Sequence, residues 1–451
     1  MTTFVTLAML FLMSGCDSEL ERDITAGWMA RMICSAVFVS GRPFDDVVRT
    51  EFGRAALGGP RRFHPRMDED TSSITVVAHN HAGTTVSFRS GLGCALDIGD
   101  QKVRSDRVVW PLSKTASDEV PWPIGTALDR GVEGIDLKEV DRLVEQAIAY
   151  GDHHHGLGSR AMVVVYQGKL VAEAYREGFP RDMPLYGASM TKTIVAMLVG
   201  VRVRDGAVSI EQKALREEWN KDARRAITLD HLLHMVSGLR WNESYSLDSD
   251  VDQMLFTQSD MAAFAVAKPL DHAPGTHWEY SSGTTNIISA VLRDTFESDG
   301  DWYKFPRASL FQPLGLQTAV FETDSVGNFV GSSFLWASAQ DFARLGQLLA
   351  NDGVWDGKRL LPEGWVDYMR TPGYRSQRNR YGAQTWLYRS DGGAAPWFSM
   401  NGFGGQHVMV HPEKKLVVVR LGWDAAMDSW DHRRFMSSVL KTIDMEGPLE
   451  P

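Results

Sequence analysis

Apolar and polar positions repeat with different periods along this chain, and the changes of period divide it into parts. Residues 4–13 (FVTLAMLFLM) form an apolar run of signal-peptide length, too short to cross a bilayer. Residues 24–39 (ITAGWMARMICSAVFV) read as a helix running into a short strand. Residues 74–90 alternate in steps of two on either side of HNHAGT, the pattern of a hairpin. A stretch richer in Pro and Gly, 111–134, reads as a linker. Beyond it Leu137, Val140, Leu143, Val144 and Ile148 recur at helical spacing, which predicts an amphipathic helix. AMVVVYQGKLVAEAY (161–175) reads as two strands joined by Gln167-Gly168. An apolar helix follows over 191–203, then a mostly helical block over 205–320. Strand patterns return at 381–389, 404–412 and 415–423, and a last amphipathic helix lies near 429–444. This order predicts an α+β fold: an antiparallel sheet flanked by terminal helices, with a helical subdomain inserted over about 195–320. We divide the chain into a leader (1–16), a mixed α/β extension with linker (17–134) and a main domain (135–451).

Composition narrows the function more than the fold. Of 451 residues 43% are apolar and 23% charged, the balance of a soluble globular protein. A net charge of -10 and the lack of a Lys/Arg cluster argue against a nucleic-acid partner. The apolar run ends in Ser14-Gly15-Cys16, which resembles the lipobox of bacterial lipoproteins, although Met13 stands where Leu is usual and no Lys or Arg precedes the run. The expectation is an exported, periplasmic protein, with Cys16 as candidate lipid anchor and the only expected membrane attachment; the alternatives are a plain cleaved signal or a buried N-terminal helix. Cys34 and Cys94 then remain as an even pair, either one disulfide or two buried thiols.

The chemistry-bearing signal is Ser189-Met190-Thr191-Lys192 at a loop-to-helix junction. A serine hydroxyl needs a base to become nucleophilic, and three residues along a helix bring an amine to the same face. The helix N-terminus offers N–H groups to a developing oxyanion. Downstream come PGTHWEYSS (274–282), containing Tyr280, and Gly402-Phe403-Gly404-Gly405-Gln406-His407. In this order the three segments resemble the class C β-lactamase and penicillin-binding esterase group, which carries S-x-x-K, then Y-x-N, then a Lys/His-Thr-Gly-like element. The resemblance spans about residues 136–445, including ITLDHLLHMVSGL (227–239) and residues 331–353.

That resemblance implies a β-lactamase/transpeptidase-like fold and a serine hydrolase that needs no metal or organic cofactor. Ser189 would be the nucleophile and Lys192 with Tyr280 the general base. The backbone N–H groups of Ser189 and of one residue in 404–406, assigned to Gln406, would form the oxyanion hole. An ammonium beside a phenol favours phenolate, which would suit Tyr280 to base work. Two departures concern the candidate substrate-binding positions. Ser282 stands where the pattern has Asn, and Phe403-Gly404-Gly405 where it has Lys-Thr-Gly, so the cation that meets a β-lactam carboxylate is missing. Such changes resemble the esterase, D-amino-acid amidase and 6-aminohexanoate-dimer hydrolase side of the superfamily. The expected substrate is therefore a small ester, amide or peptide, with weak β-lactam turnover. The reading from another class is a catalytically silent cell-envelope protein that binds peptidoglycan-type ligands; intact Ser189, Lys192 and Tyr280 argue against it.

Other patterns carry less. His79-Asn80-His81 lacks the Asp of a zinc hydrolase motif, and His153-His154-His155 reads as a surface loop. His231 and His234 can share a helix face and read as structural. Gly187-Ala188-Ser189-Met190-Thr191 is no α/β-hydrolase elbow, because its last position is not Gly.

Overall fold

The computed structural model describes residues 18–52, 63–78, 83–98, 119–149, 158–246, 249–373, 376, 379–388, 395–424 and 430–443. Cys16, His79-Asn80-His81 and His153-His154-His155 lie outside them. No helix among the described residues is long and apolar enough to cross a membrane.

The chain opens with α1 (Glu19–Cys34), started by a capping box in which Ser18 and Glu21 satisfy each other's backbone N–H. Residues Ser35–Val39 continue it as one wide π-helical turn, where the β-branched pattern had suggested a strand. The Ser40 N–H closes that turn on Ser35 O, and Cys34 is tied by a disulfide to Cys94. These ties outweigh local β-propensity. A short helix α2 (Phe44–Phe52) follows, then a four-stranded antiparallel sheet in sequential order, β1 (Phe63–Asp68), β2 (Ser73–Ala78), β3 (Thr84–Arg89) and β4 (Gly93–Leu96).

Helix α3 (Leu137–Ala149) leads into β5 (Gly158–Tyr166) and β6 (Lys169–Tyr175), which turn at Gln167-Gly168 as the dipeptide predicts. Next comes α4 (Met190–Arg204), then the helices α5 (Leu229–Leu233), α6 (Asp250–Thr257), α7 (Met261–Val266), α8 (Ser282–Arg293) and α9 (Asp299–Pro306). Helix α10 (Ala339–Ala350) precedes the strands β7 (Trp386–Tyr388), β8 (Trp397–Gly402), β9 (Gln406–His411) and β10 (Leu416–Trp423), and α11 (His432–Leu440) ends the fold. The main sheet runs β7-β8-β9-β10-β5-β6, antiparallel throughout, so the last strand pairs with the first of the main domain. This is the α+β arrangement expected from the order of elements, an antiparallel sheet flanked by terminal helices, and it agrees with the fold that the resemblance implies.

Both faces of this sheet are covered, so its central strands are buried at every position rather than at alternate ones. In β5, Ala161, Val163 and Val165 join the core shared with α4 and α10, while Met162, Val164 and Tyr166 join a second core under α3 and α11. Strand β10 divides likewise between Val417, Val419 and Leu421 on one side and Leu416 and Val418 on the other.

Residues before and after position 135 share one apolar core, to which Ile24, Ile33, Ile74 and Val86 contribute beside Ile194 and Phe342. Arg31 of α1 meets Glu322 at 3.6 Å with both side chains fully buried, and Ser35 Oγ and the Cys94 N–H donate to Glu322 Oε1 at 2.7 and 3.0 Å. Burial lowers the Arg31 pKa and raises that of Glu322, so desolvation opposes both charges. That cost offsets much of what the pair's attraction contributes to the docked state. The linker is held too, with Arg344 Nε and Nη2 donating to Pro123 O and Gly125 O at 3.1 and 2.8 Å.

Candidate active site

Ser189 sits at the N-cap of α4, directly after Ala188, whose φ of 47° bends the chain into the helix. The bend is fastened twice. Thr191 Oγ1 donates to Ala188 O at 2.7 Å and accepts the Leu335 N–H at 3.1 Å, and the Gly187 N–H bonds Leu335 O. Residues 190–201 of α4 are all buried, so the helix is fixed by packing around its whole circumference. The half-buried Ser189 hydroxyl is thereby held on a rigid support at the edge of the core.

One turn further on, Lys192 is buried, and its ammonium has three acceptors: Ser189 Oγ, Ser282 Oγ and Ser332 O, each at 3.0 Å. An ammonium has three protons, and each has its own acceptor. Burial lowers the Lys192 pKa to about 8, against the opposing charge of Glu243. This lysine therefore exchanges its proton closer to neutrality than any exposed lysine.

Tyr280 completes the contact set around the serine. Its hydroxyl faces Ser189, which lowers its pKa, and Lys192 Nζ lies 4.8 Å from the centre of its ring. Tyr381 and Trp386 pack on that ring at 5.8 and 5.5 Å. Burial and the charge of Glu243 push the phenol pKa up, and Ser189 only partly offsets them. The phenolate expected from the neighbouring ammonium is thus not the favoured state here: desolvation outweighs proximity, and the phenol keeps its proton.

Ser282 departs from the sequence-based expectation of a substrate contact. It is the first residue of α8 and is buried; its Oγ accepts from Lys192 and donates to Glu243 Oε1, while its N–H donates to Glu243 Oε2 at 2.9 Å. Its hydroxyl links the ammonium to a carboxylate. Glu243 escaped the sequence reading. Its carboxylate also accepts from Trp241 Nε1 and from the Tyr245 hydroxyl, and so gathers four donors. WNESY (241–245) has no periodicity to mark it, and the contact that gives Glu243 its place spans 39 residues.

The 402–406 segment closes the opposite side. A β-carbon on Gly402, at the end of β8, would stand 2.4 Å from Gly187 O and 3.1 Å from the Ala188 β-carbon. Only glycine lets the sheet come this close to the residues preceding Ser189. Phe403 is half-buried, its ring 6.0 Å from Tyr245 and 6.3 Å from Trp423. Gly404 and Gly405 form the turn with φ of 76° and 81°. Gln406 opens β9 opposite Gly402, and its buried side-chain amide bonds the turn's own carbonyls. His231 and His234 are spent on structure: His231 caps α5, and His234 pairs with Asp230 at 2.9 Å.

A serine, a buried amine 3.0 Å from it and a phenol thus gather at the start of a helix packed beneath an antiparallel sheet. The chain belongs to the Beta-lactamase family, whose profile matches residues 140–422. It is 21% identical over 290 residues to the 6-aminohexanoate-dimer hydrolase of Paenarthrobacter ureafaciens, covering 58% of this chain and 71% of that protein. Among solved structures, a Bacillus anthracis protein provisionally assigned as a 6-aminohexanoate-dimer hydrolase superposes with a TM-score of 0.55 at 20% identity, over 79% of this chain and 88% of that one. A family VIII carboxylesterase superposes with a TM-score of 0.52 at 16% identity, over 69% and 99%. Structural likeness at these identities speaks for the fold alone.

Proposed function

We propose that the protein hydrolyses carboxylic ester or amide bonds in two steps through an acyl group on Ser189. The observation that carries this reading is Lys192 Nζ, 3.0 Å from Ser189 Oγ and with its pKa drawn down to about 8. At neutral pH roughly a tenth of such a lysine is unprotonated and can take the serine proton. Ser189 Oγ then bonds the substrate carbonyl carbon, and the oxyanion meets N–H groups at the start of α4 and in the 404–406 turn, with Gln406 as the assigned second donor. Lys192 returns the proton through the Tyr280 hydroxyl to the leaving alcohol or amine as the carbonyl–heteroatom bond breaks. Water repeats the sequence on the acyl-enzyme, releasing the acid and freeing Ser189. Tyr280 is a neutral relay in this scheme and Lys192 the base.

The substrate side is argued from what surrounds the serine. Phe403, Tyr245, Tyr280 and Trp386 offer aromatic surface, and Phe403-Gly404-Gly405 supplies no cation for a substrate carboxylate. Small esters or linear amides with apolar acyl parts fit this rim better than anionic β-lactams. The related 6-aminohexanoate-dimer hydrolase adds linear amides as the class to try first. Export to the periplasm belongs to the same proposal, supported by the Cys34–Cys94 bridge, a bond of oxidising compartments; lipid attachment at Cys16 is its further part. The test is turnover of p-nitrophenyl butyrate, a D-alanine anilide, 6-aminohexanoate dimer and nitrocefin by wild type and Ser189→Ala. Turnover of the ester or an amide that vanishes in the variant supports the proposal. Equal inertness of both proteins on all four would favour a ligand-binding protein instead.

A further inference from the structure

We propose that the buried Arg420–Asp424 pair is a positioning device for the 402–406 turn, setting where that turn's backbone stands relative to Ser189. The proposal rests on the hydrolase reading above, which makes the turn one side of the oxyanion site.

Two consecutive glycines at left-handed φ give the turn its shape and also leave its backbone free to move. Nothing in Phe403-Gly404-Gly405 itself holds that shape, so the restraint must come from outside. It comes from β10 and the residue following it. Arg420 is fully buried, and its Nη1 donates to Gly405 O at 2.6 Å. The same nitrogen reaches Asp424 Oδ2 at 2.8 Å, and Nη2 reaches Asp424 Oδ1 at 2.6 Å, a two-pronged pair. Arg420 Nε is anchored on Ser159 Oγ at 3.0 Å, and the Asp424 N–H donates to Gly404 O at 3.0 Å. The Gln406 amide adds Phe403 O at 3.2 Å and is itself fixed on the Gly422 carbonyl and N–H at 2.7 and 2.9 Å.

The carbonyls of Phe403, Gly404 and Gly405 are therefore all drawn towards one set of donors. In a trans peptide the following N–H points the opposite way, so the amides of Gly404, Gly405 and Gln406 face away from the clamp. The same turn begins at Gly402, whose backbone abuts the Gly187-Ala188 segment just before Ser189. A shift of the clamp would thus move candidate oxyanion donors against the nucleophile. Stability does not account for the pair, since two buried charges are commonly no better for the fold than apolar residues of the same size. A lysine could not replace the arginine, because the task is a planar, forked set of donors shared between a carboxylate and a carbonyl.

The experiment compares Arg420→Lys and Asp424→Asn with wild type in the full chain. It measures kcat and KM for p-nitrophenyl butyrate, inhibition by butylboronic acid and the melting temperature. The boronic acid forms a tetrahedral adduct on an active serine and so reports on the oxyanion side without turnover. The expected result is a kcat lower by about tenfold to a hundredfold, boronate affinity weaker by a similar factor and KM within about twofold. Lower melting temperatures with unchanged kcat and boronate affinity would make the pair purely structural and overturn the proposal. If neither variant folds, Gly405→Ala decides, because its β-carbon would lie 2.0 Å from Arg420 Nη1 and push clamp and turn apart while the ion pair stays buried. The same parallel loss is expected there, and wild-type kinetics would count against the clamp. An active wild type with unaffected variants removes this proposal alone, whereas an inert wild type removes the hydrolase reading and this proposal with it.

Discussion

Replacing Glu243 by Gln should move the pH–rate profile, and the direction follows from the site. Glu243 is the charge that raises the Lys192 pKa against the lowering by burial. Two hydrogen bonds in series, 3.0 Å from Lys192 Nζ to Ser282 Oγ and 2.5 Å from there to Glu243 Oε1, put the charges within about 5.5 Å of each other. At an effective dielectric near 20 that separation gives roughly 3 kcal/mol, about two pH units. Glu243 is only half-buried, so solvent screening reduces this, and we expect a shift of about one unit. Glutamine keeps one acceptor oxygen, enough for the Ser282 N–H and Trp241 Nε1, and its NH2 can donate to Ser282 Oγ in place of the lost acceptor, while the charge is removed. The base must be unprotonated to act, so the acidic limb of kcat/KM, centred near pH 8 in the wild type, should move down. The variant should thus keep a larger fraction of its plateau rate at pH 6.5 than wild type does, even if the plateau itself is lower. The assay is hydrolysis of p-nitrophenyl butyrate from pH 5.5 to 9.5. An unmoved limb, or one moved upwards, would refute Lys192 as the titrating base.

Other outcomes follow from the same geometry. Tyr280→Phe keeps the ring packing on Tyr381 and Trp386 but removes the hydroxyl that faces Ser189, and single-turnover acylation should slow by about a hundredfold or more. Phe403→Ala should raise KM several-fold for the butyrate ester and less for the acetate, since the lost ring would contact the acyl chain; steady-state kinetics on both esters checks this. Replacing Cys34 and Cys94 by Ser opens a loop closed over 60 residues, and chain entropy sets the loss near 4 kcal/mol, measurable by urea unfolding.

Much of the scaffold was legible because its periodicities are local. The spacing of Val140 and Val144 marked α3, and the β-branched runs about Gln167-Gly168 marked the β5–β6 hairpin. The limits were physical. Residues 381–389 read as one strand, yet among the described residues only Trp386–Tyr388 form one, because the Ala383 and Gln384 N–H groups are taken by Met369 O and Leu233 O. Residues 35–39 carry a strand-like composition but were captured by the end of α1. Strand β8 was not foreseen, since WFSMNG shows no alternation. In the site, Ser189 and Lys192 could be found because one helical turn relates them. Glu243 could not, because only folding brings it to Ser282. The state of Tyr280 was misjudged for a similar reason: proximity to Lys192 is visible in the motif, whereas the burial and the Glu243 charge that oppose ionisation are not.

Trapping the acyl-enzyme tests the central claim most directly. Full-length protein would be mixed with p-nitrophenyl butyrate, quenched in acid within milliseconds to seconds, and analysed by intact mass and peptide mapping. A butyryl adduct on the peptide containing Ser189, present in wild type and absent from Ser189→Ala, is the predicted result. Ester turnover with no adduct at any quench time, or an adduct that persists in the variant, would contradict a mechanism centred on Ser189.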